Sequence, residues 1–293
     1  MNYSHYDLCN FIEEKNINMI KDCIDEGVNL NGRCDEDERP SPLHKAVIEG
    51  YLEAIEALLK SNKIDVNQQT DLGDTPLHKA VKMGNIEAMK ALLQSDKINI
   101  NAGGLGETTP LHIAAVRCKV DAVNTLLKSN KIDVNAQNDD GHTPLHLAAD
   151  KGCVDAIRAL LQSNKINVNL KDNDKCNPLH TAAYTGRANS IEALLKSNEI
   201  DVNSKDYYGN TPLHLAALGD KEDVMKALLK SNKIDVNPKN DSGKTPLHLA
   251  AEENRINTVN VLLESDKISM LIQKIIVKKP LYIMLLRMAM DHQ

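Results

Sequence analysis

The sequence predicts an all-α solenoid, a stack of helix-turn-helix layers joined by exposed fingers. Three observations carry that prediction. First, the tripeptide Pro-Leu-His begins at Pro42, Pro76, Pro110, Pro144, Pro178, Pro212 and Pro246, each 34 residues after the last. Seven copies with no insertion or deletion between them define one structural module. Second, only 3% of the 293 residues are aromatic, with one Phe and no Trp, so Leu, Ile, Val and Ala must fill the core, as many thin, similar layers allow. Third, each module carries helix start and stop signals in a fixed order.

The second module shows that order. Thr75 offers an N-cap hydroxyl and Pro76 sits at the first helical position, where a missing N–H costs nothing. Leu77, Ala80 and Val81 follow at helical spacing, and Gly84 can take the left-handed conformation that ends the helix. Ile86, Met89, Leu92 and Leu93 form a second apolar stripe, so the module is a helical hairpin. The alternating Ile-Asn-Ile-Asn that follows, with a Gly-containing stretch before the next Thr-Pro, reads as an exposed finger.

Thr143–Ala149 and Thr211–Ala217 both read TPLHLAA, and LLKSNKIDVN recurs between layers; these residues resemble the ankyrin repeat. The family repeat is usually one residue shorter, and the extra residue lies in the Ser-Asn-Lys-Ile stretch of every copy. The resemblance implies a right-handed stack of helix pairs with β-hairpin fingers along one edge of a concave palm. It divides the chain into a capping half-repeat at 4–34 and repeats at 35–68, 69–102, 103–136, 137–170, 171–204, 205–238 and 239–268, with a degenerate tail at 269–293. In the half-repeat, Leu8, Phe11, Ile12, Ile17, Ile20 and Ile24 keep the two-helix pattern. Asp35, Glu36, Asp37 and Glu38 then form an acidic finger, best read as solvated.

The tail abandons the pattern, yet Pro280-Leu281 falls 34 residues after Pro246-Leu247. Back-translated and read one base out of phase, it permits Val-Asn-Pro-Lys-Asp-Asn-Ser-Glu-Lys-Thr-Pro-Leu-His-Tyr-Ala-Ala-Glu-Asn-Gly-His, another copy of the repeat. Residues from about 269 onward therefore read as an out-of-frame eighth repeat.

Charge and composition exclude several classes. The 26% charged and 42% apolar fractions are those of a folded soluble chain, and 35 basic against 41 acidic residues (net charge −6) leave no basic footprint for nucleic acid. The N-terminus lacks the apolar core of a Sec signal, and no apolar run approaches the ~18 residues of a membrane span. The expectation is a cytoplasmic monomer that binds another protein, neither nucleic acid nor membrane.

No catalytic motif is present, and no cofactor or metal is expected. Seven of the ten histidines, His44, His78, His112, His146, His180, His214 and His248, stand one per layer. Layers lie on the order of 10 Å apart, a helix diameter, whereas zinc needs its ligands about 2 Å from one centre. The resemblance implies that these histidines hydrogen-bond within and between repeats. Cys9, Cys23, Cys34, Cys118, Cys153 and Cys176 lack metal spacing; Cys118 and Cys153, one layer and one residue apart, are expected to exceed disulfide range, so all six read as free thiols. Gly103-Gly104-Leu105-Gly106 lies at a finger turn and reads as a Gly-rich finger rather than a phosphate cradle.

Function should reside where the copies differ. On the fingers these positions are Leu72, Asp74, Leu105, Asp139, Asp140, His142, Asn173, Asp174, Tyr207, Tyr208, Asp241 and Lys244. On the first helices they are Lys82, Met83, Val116, Arg117, Asp150, Lys151, Tyr184, Thr185, Glu252 and Glu253. Tyr207-Tyr208 on an exposed turn has the character of an interface hot spot. Asn67, Asn135, Asn203 and Asn237, each eight residues after a Leu, resemble ankyrin asparagines that animal cells hydroxylate. Near-identical arrays rich in Asn, Ile and Lys resemble those of intracellular bacteria such as Wolbachia and relatives of Rickettsia, or of some protists; a bacterial source would imply a host-directed effector delivered by a non-Sec route. A structural spacer, or the remnant of a larger ankyrin-array enzyme cut short by the lost frame, are the alternatives.

Overall fold

Ser, Thr or Asn stands before every Pro-Leu-His, and the backbone uses it to start a helix. The side-chain oxygens of Ser41, Thr75, Thr109, Thr143, Asn177 and Thr245 each accept the backbone N–H of the histidine three residues on. A donor at the helix start that would otherwise lack a partner is thereby satisfied. The computed structural model describes residues 3–34 and 38–265. Among them are sixteen α-helices and one short 3-10 turn, Leu105–Glu107.

The chain divides into two compact units, Met1–Asn173 and Asp174–Gln293. The first holds α1 (His5–Glu13), α2 (Ile17–Asp25), α3 (Pro42–Ile48), α4 (Leu52–Lys60), α5 (Pro76–Met83), α6 (Ile86–Leu93), α7 (Pro110–Val116), α8 (Val120–Leu127), α9 (Pro144–Lys151) and α10 (Val154–Leu161). Odd-numbered helices pack on odd and even on even: α1 on α3, α5, α7 and α9 in series, and α2 on α4, α6, α8 and α10. The second unit repeats the scheme with α11 (Pro178–Thr185), α12 (Ala188–Leu194), α13 (Pro212–Leu218), α14 (Glu222–Leu229), α15 (Pro246–Glu252) and α16 (Ile256–Glu264). The expected helical hairpins are present in both units.

Each layer has the same small core. In the specimen layer Leu77, Ala80 and Val81 from α5 and Ala88, Met89 and Leu92 from α6 are fully buried, with Ile98 and Ile100 beneath them. Ile86 and Leu93 are only half-buried, because Ala88 and Ala91 take the inward positions between them. Leu8, Ile12 and Ile20 close the N-terminal end in the same way. Gly84 ends α5 at φ +73°, the left-handed value its place in the sequence requires.

Two expectations need correction. The fingers contain no β-strand among the described residues. Each is a tight turn closed locally: the Thr70 N–H donates to Asp74 O at 2.9 Å and the Gly73 N–H to Thr70 O at 2.9 Å. One further bond joins some neighbouring fingers, as from Asp71 N–H to Glu38 O. No strand ladder forms because side chains take the donors of the alternating segment. The Asn67 N–H goes to Asp65 Oδ1 (3.0 Å) and the Asn99 N–H to Asn67 Oδ1 (2.7 Å).

The second correction concerns cysteine. Cys9 is joined to Cys34 and Cys118 to Cys153, with Cα–Cα distances of 5.5 and 5.0 Å, while Cys23 and Cys176 stand outside both pairs. A helix diameter overestimates the layer separation at the turn between helices, where a residue approaches the one 35 positions on. A Cβ at Gly84 would lie 3.0 Å from Lys119 Nζ, and one at Gly186 3.2 Å from Lys221 Cδ. The single-residue offset between Cys118 and Cys153 therefore brings them together. Residues 35–37 of the acidic finger and the whole tail, with its out-of-frame reading, lie outside the described residues.

Candidate functional site

The residues shared by the layers face inward. The Thr75 hydroxyl donates to His78 Nδ1 (2.8 Å), so His78 Nε2 carries the proton and donates to the Thr108 carbonyl of the next layer at 2.9 Å. The Nε2 of His44, His112, His180 and His214 likewise meets the carbonyls of Asp74, His142, Asn210 and Lys244 at 2.9–3.1 Å. Burial pushes His44 down to about 4, and burial lowers His78, His112 and His214 in the same direction. His146 and His180 are also buried, whereas His248, in the last described layer, is exposed. Five of the seven histidines thus bond both within and between layers, and no group of His, Cys, Asp and Glu that could hold a metal ion occurs among the described residues.

The asparagines form a second ladder. Asn135 Nδ2 donates to the Lys165 carbonyl (2.8 Å) while its Oδ1 accepts the Asn167 N–H (2.8 Å). Asn31, Asn67, Asn101 and Asn203 make the same two-pronged clamp on their next layers. The sequence singles out Asn67, Asn135 and Asn203 only as resembling hydroxylated asparagines; the signal for the clamp was the recurrence of Asn at this position in copy after copy.

The variable positions divide into two groups. Tyr184, Tyr207 and Tyr208 are 72%, 61% and 69% exposed, and Met83, Arg117, Asp139, Asp140, Lys151, Asn173, Asp174 and Leu72 are exposed as well. So are Leu105, Asp241, Glu252 and Glu253. Tyr207 and Tyr208 meet edge-to-face at 5.5 Å, and Lys175 Nζ lies 5.3 Å from the Tyr207 ring. One tyrosine is thus partly engaged by the neighbouring finger, yet both present most of their surface to solvent.

The other group is used internally. Asp74 is not on the surface: it is 2% exposed, and Lys82 Nζ donates to both its carboxylate oxygens at 2.7 and 2.6 Å, with Lys79 3.2 Å away. Burial pushes its pKa up, but the two lysines outweigh that and hold the carboxyl below its ordinary value. The cause lies in register, because the residue two before Pro and the residue six after it face each other across the finger base. Lys244 and Glu252 repeat the pair with the charges exchanged (2.6 Å). His142, half-buried, sits 3.3 Å from Asp172 and is raised first by that hydrogen bond and also by the charges of Asp172, Asp140 and Asp150. Asp150 and Lys151 pair at 2.8 Å. Asp74 and Lys82 therefore leave the set of free contact residues, and His142 and Asp150 are half-buried in internal interactions. The eight-residue spacing of opposite charges was legible in the sequence and went unread.

Val116 and Thr185 are half-buried, and Lys244 is tied to Glu252. Gly103-Gly104-Leu105-Gly106 forms a finger turn closed by the Gly104 N–H on Thr108 O at 2.9 Å, as expected. Open grooves of about 500 Å³ recur on the second-helix side, between Lys60 and Gln94 and, in the other unit, between Lys196 and Lys230. Their walls are Leu-Leu-Lys-Ser-Asn segments, a sequence four of the seven repeats share, with Gln94-Ser95-Asp96 on one side of the first groove. No described helix is long and apolar enough to cross a membrane.

These features define a solenoid of capped helical hairpins whose uniform residues stitch layers together and most of whose differing residues face solvent on the fingers and first helices. The chain belongs to the ankyrin repeat family. The family profile described as ankyrin repeats (3 copies) matches residues 8–103, 62–138, 111–206 and 205–273. Such repeats are generally protein–protein interaction modules. No curated protein matches the chain, and no relative ties it to a bacterial lineage.

Proposed function

We propose that the chain is a non-catalytic scaffold that binds another protein through the exposed variable residues of its fingers and first helices. A capping half-repeat at 4–34 and seven repeats to 268 would supply that surface, acting as a monomer. The observation that carries the reading is the exposure of Tyr184, Tyr207 and Tyr208 at positions where other layers carry different residues. Exposed Tyr and Arg concentrate interface energy, because a large rigid or forked group buries much area for little lost rotamer freedom. Asp174 adds to these in the second unit, and Arg117, Met83, Asp139, Asp140, Lys151 and Asn173 are the corresponding exposed residues of the first.

A spacer role is the second reading, and the internal use of Asp74, Lys82, His142 and Asp150 favours it, since pairing within and between layers explains their variation without a partner. An effector role in a host cell, asparagine hydroxylation at Asn67, Asn135, Asn203 and Asn237, and descent from a larger enzyme remain narrower proposals. Capture from cytosolic extract, with a repeat-shuffled array of identical composition beside the parent, separates the two readings. Recovery of a protein by the parent alone supports the scaffold. Identical recovery by both arrays leaves the spacer.

A further inference from the structure

We propose that Cys118 and Cys153 form a reversible thiol-exchange site that staples two adjacent layers of the first unit and is opened and closed by low-molecular-weight thiols of the glutathione class. Four features carry this. Cys118 stands where α5, α9 and α11 end in glycine and adopts the same left-handed backbone, φ +54°. That conformation turns its side chain toward the residue 35 positions on, which is Cys153 at the N-terminus of α10, and the Cα atoms are 5.0 Å apart, inside the range a disulfide spans. A thiol at both ends of this contact is special to this pair of layers: the same relation elsewhere joins Gly50 to Asn85, Gly84 to Lys119 and Gly186 to Lys221.

The third feature is access. Cys118 is exposed, whereas Cys153 is 4% exposed, so an external thiolate reaches one sulfur and not the other. Cys9 and Cys34, at 3% and 7%, offer no comparable entry. The fourth is charge: Arg117 and Lys119 flank Cys118 and attract an anionic tripeptide thiol.

The exchange balances without another reagent. In closing, the Cys118 thiolate attacks one sulfur of glutathione disulfide, breaking its S–S bond and releasing one glutathione thiolate. The Cys153 thiolate then attacks Cys118 Sγ, breaking the mixed disulfide and releasing the second glutathione. Two electrons pass from the protein dithiol to glutathione disulfide, and the two thiol protons end on the two glutathiones. Opening runs the same steps in reverse, beginning with attack on the accessible Cys118 sulfur. The closed staple fixes the turn between α7 and α8 to the start of α10, directly beside Arg117 and one layer's width from Lys151.

The test equilibrates the full chain in glutathione buffers of fixed ratio, alkylates free thiols and maps them by peptide mass. A peptide linked through Cys118 and Cys153 is expected under oxidising ratios, opening at least about tenfold faster than the Cys9–Cys34 pair when reduced glutathione is added. Cys153→Ala should trap one glutathione on Cys118. Cys118→Gly restores the residue other layers use at that backbone and so keeps the fold. In the parent, oxidation should slow hydrogen exchange across α7–α10 by about tenfold, and in Cys118→Gly it should not. Absence of the linked peptide, no glutathione on Cys118 in Cys153→Ala, or equal redox-dependent protection in Cys118→Gly would overturn the proposal.

Discussion

A buried imidazole whose two nitrogens are both committed is a stability device with a defined pH range. His44 ordinarily titrates near 6.5 and is held at about 4 in the folded chain, so between those values the unfolded state binds the extra proton. Its stabilisation is fully present above pH 6.5 and is lost as pH falls toward 4, amounting to about 3 kcal/mol at the acid limit. His78, His112 and His214 shift in the same direction and add to the slope, whereas the raised His142 works against it. Denaturant midpoints measured from pH 7.5 down to 4.5 should therefore fall steadily; a flat profile would show that the ladder does not titrate this way. The asparagine clamp makes a second residue-level prediction. Asn135→Ala removes two interlayer hydrogen bonds and should lower stability by about 1–3 kcal/mol, whereas Asp133→Ala, which removes only a local turn bond, should cost less than about 1 kcal/mol. Equal losses would assign the asparagine to finger geometry alone.

At the scale of the element, what could be read from the sequence was what is local. Thr75, Pro76 and Gly84 state a helix start and stop in residues a few positions apart, and the Leu-Ala spacing states which face is buried. The fingers misled because Ile-Asn alternation normally signals a strand; here its backbone donors go to Asp and Asn oxygens instead of a ladder. The Cys118–Cys153 contact depends on how one layer leans on the next, and spacing alone gave its order without its distance. Stacking also fixes how damage spreads. In an array each layer touches only its neighbours, so a charge placed in a central layer should uncouple the parts on either side. Leu145, fully buried in α9, is such a position, and Leu145→Asp should split the unfolding of the first unit into separable transitions, because a buried charge costs several kcal/mol. Leu8→Asp in α1, equally buried but in the end layer, should fray one end and leave a single main transition. A sharp single transition with unchanged denaturant dependence in Leu145→Asp would show coupling stronger than one layer interface can supply.

For the whole molecule, labour is divided between residues that every layer needs and residues that only one layer has. Leu, Ala, His and Asn at fixed positions join layer to layer, and changing them should be felt as stability. Tyr184, Tyr207, Tyr208 and Arg117 face solvent, and changing them should be felt as binding. The acidic pair Asp139 and Asp140, exposed on one finger, should add a salt-sensitive component to the association rate more than to affinity. The most direct measurement pairs the partner affinity and the thermal midpoint of the parent with those of alanine variants at Tyr184, Tyr207, Tyr208 and Arg117. A hot-spot truncation of 2 kcal/mol or more corresponds to about thirtyfold weaker binding, which at least one of the four should show while every midpoint stays within a few degrees of the parent. Affinities indistinguishable from the parent in all four variants, or losses that follow the midpoints, would contradict a recognition surface at these positions.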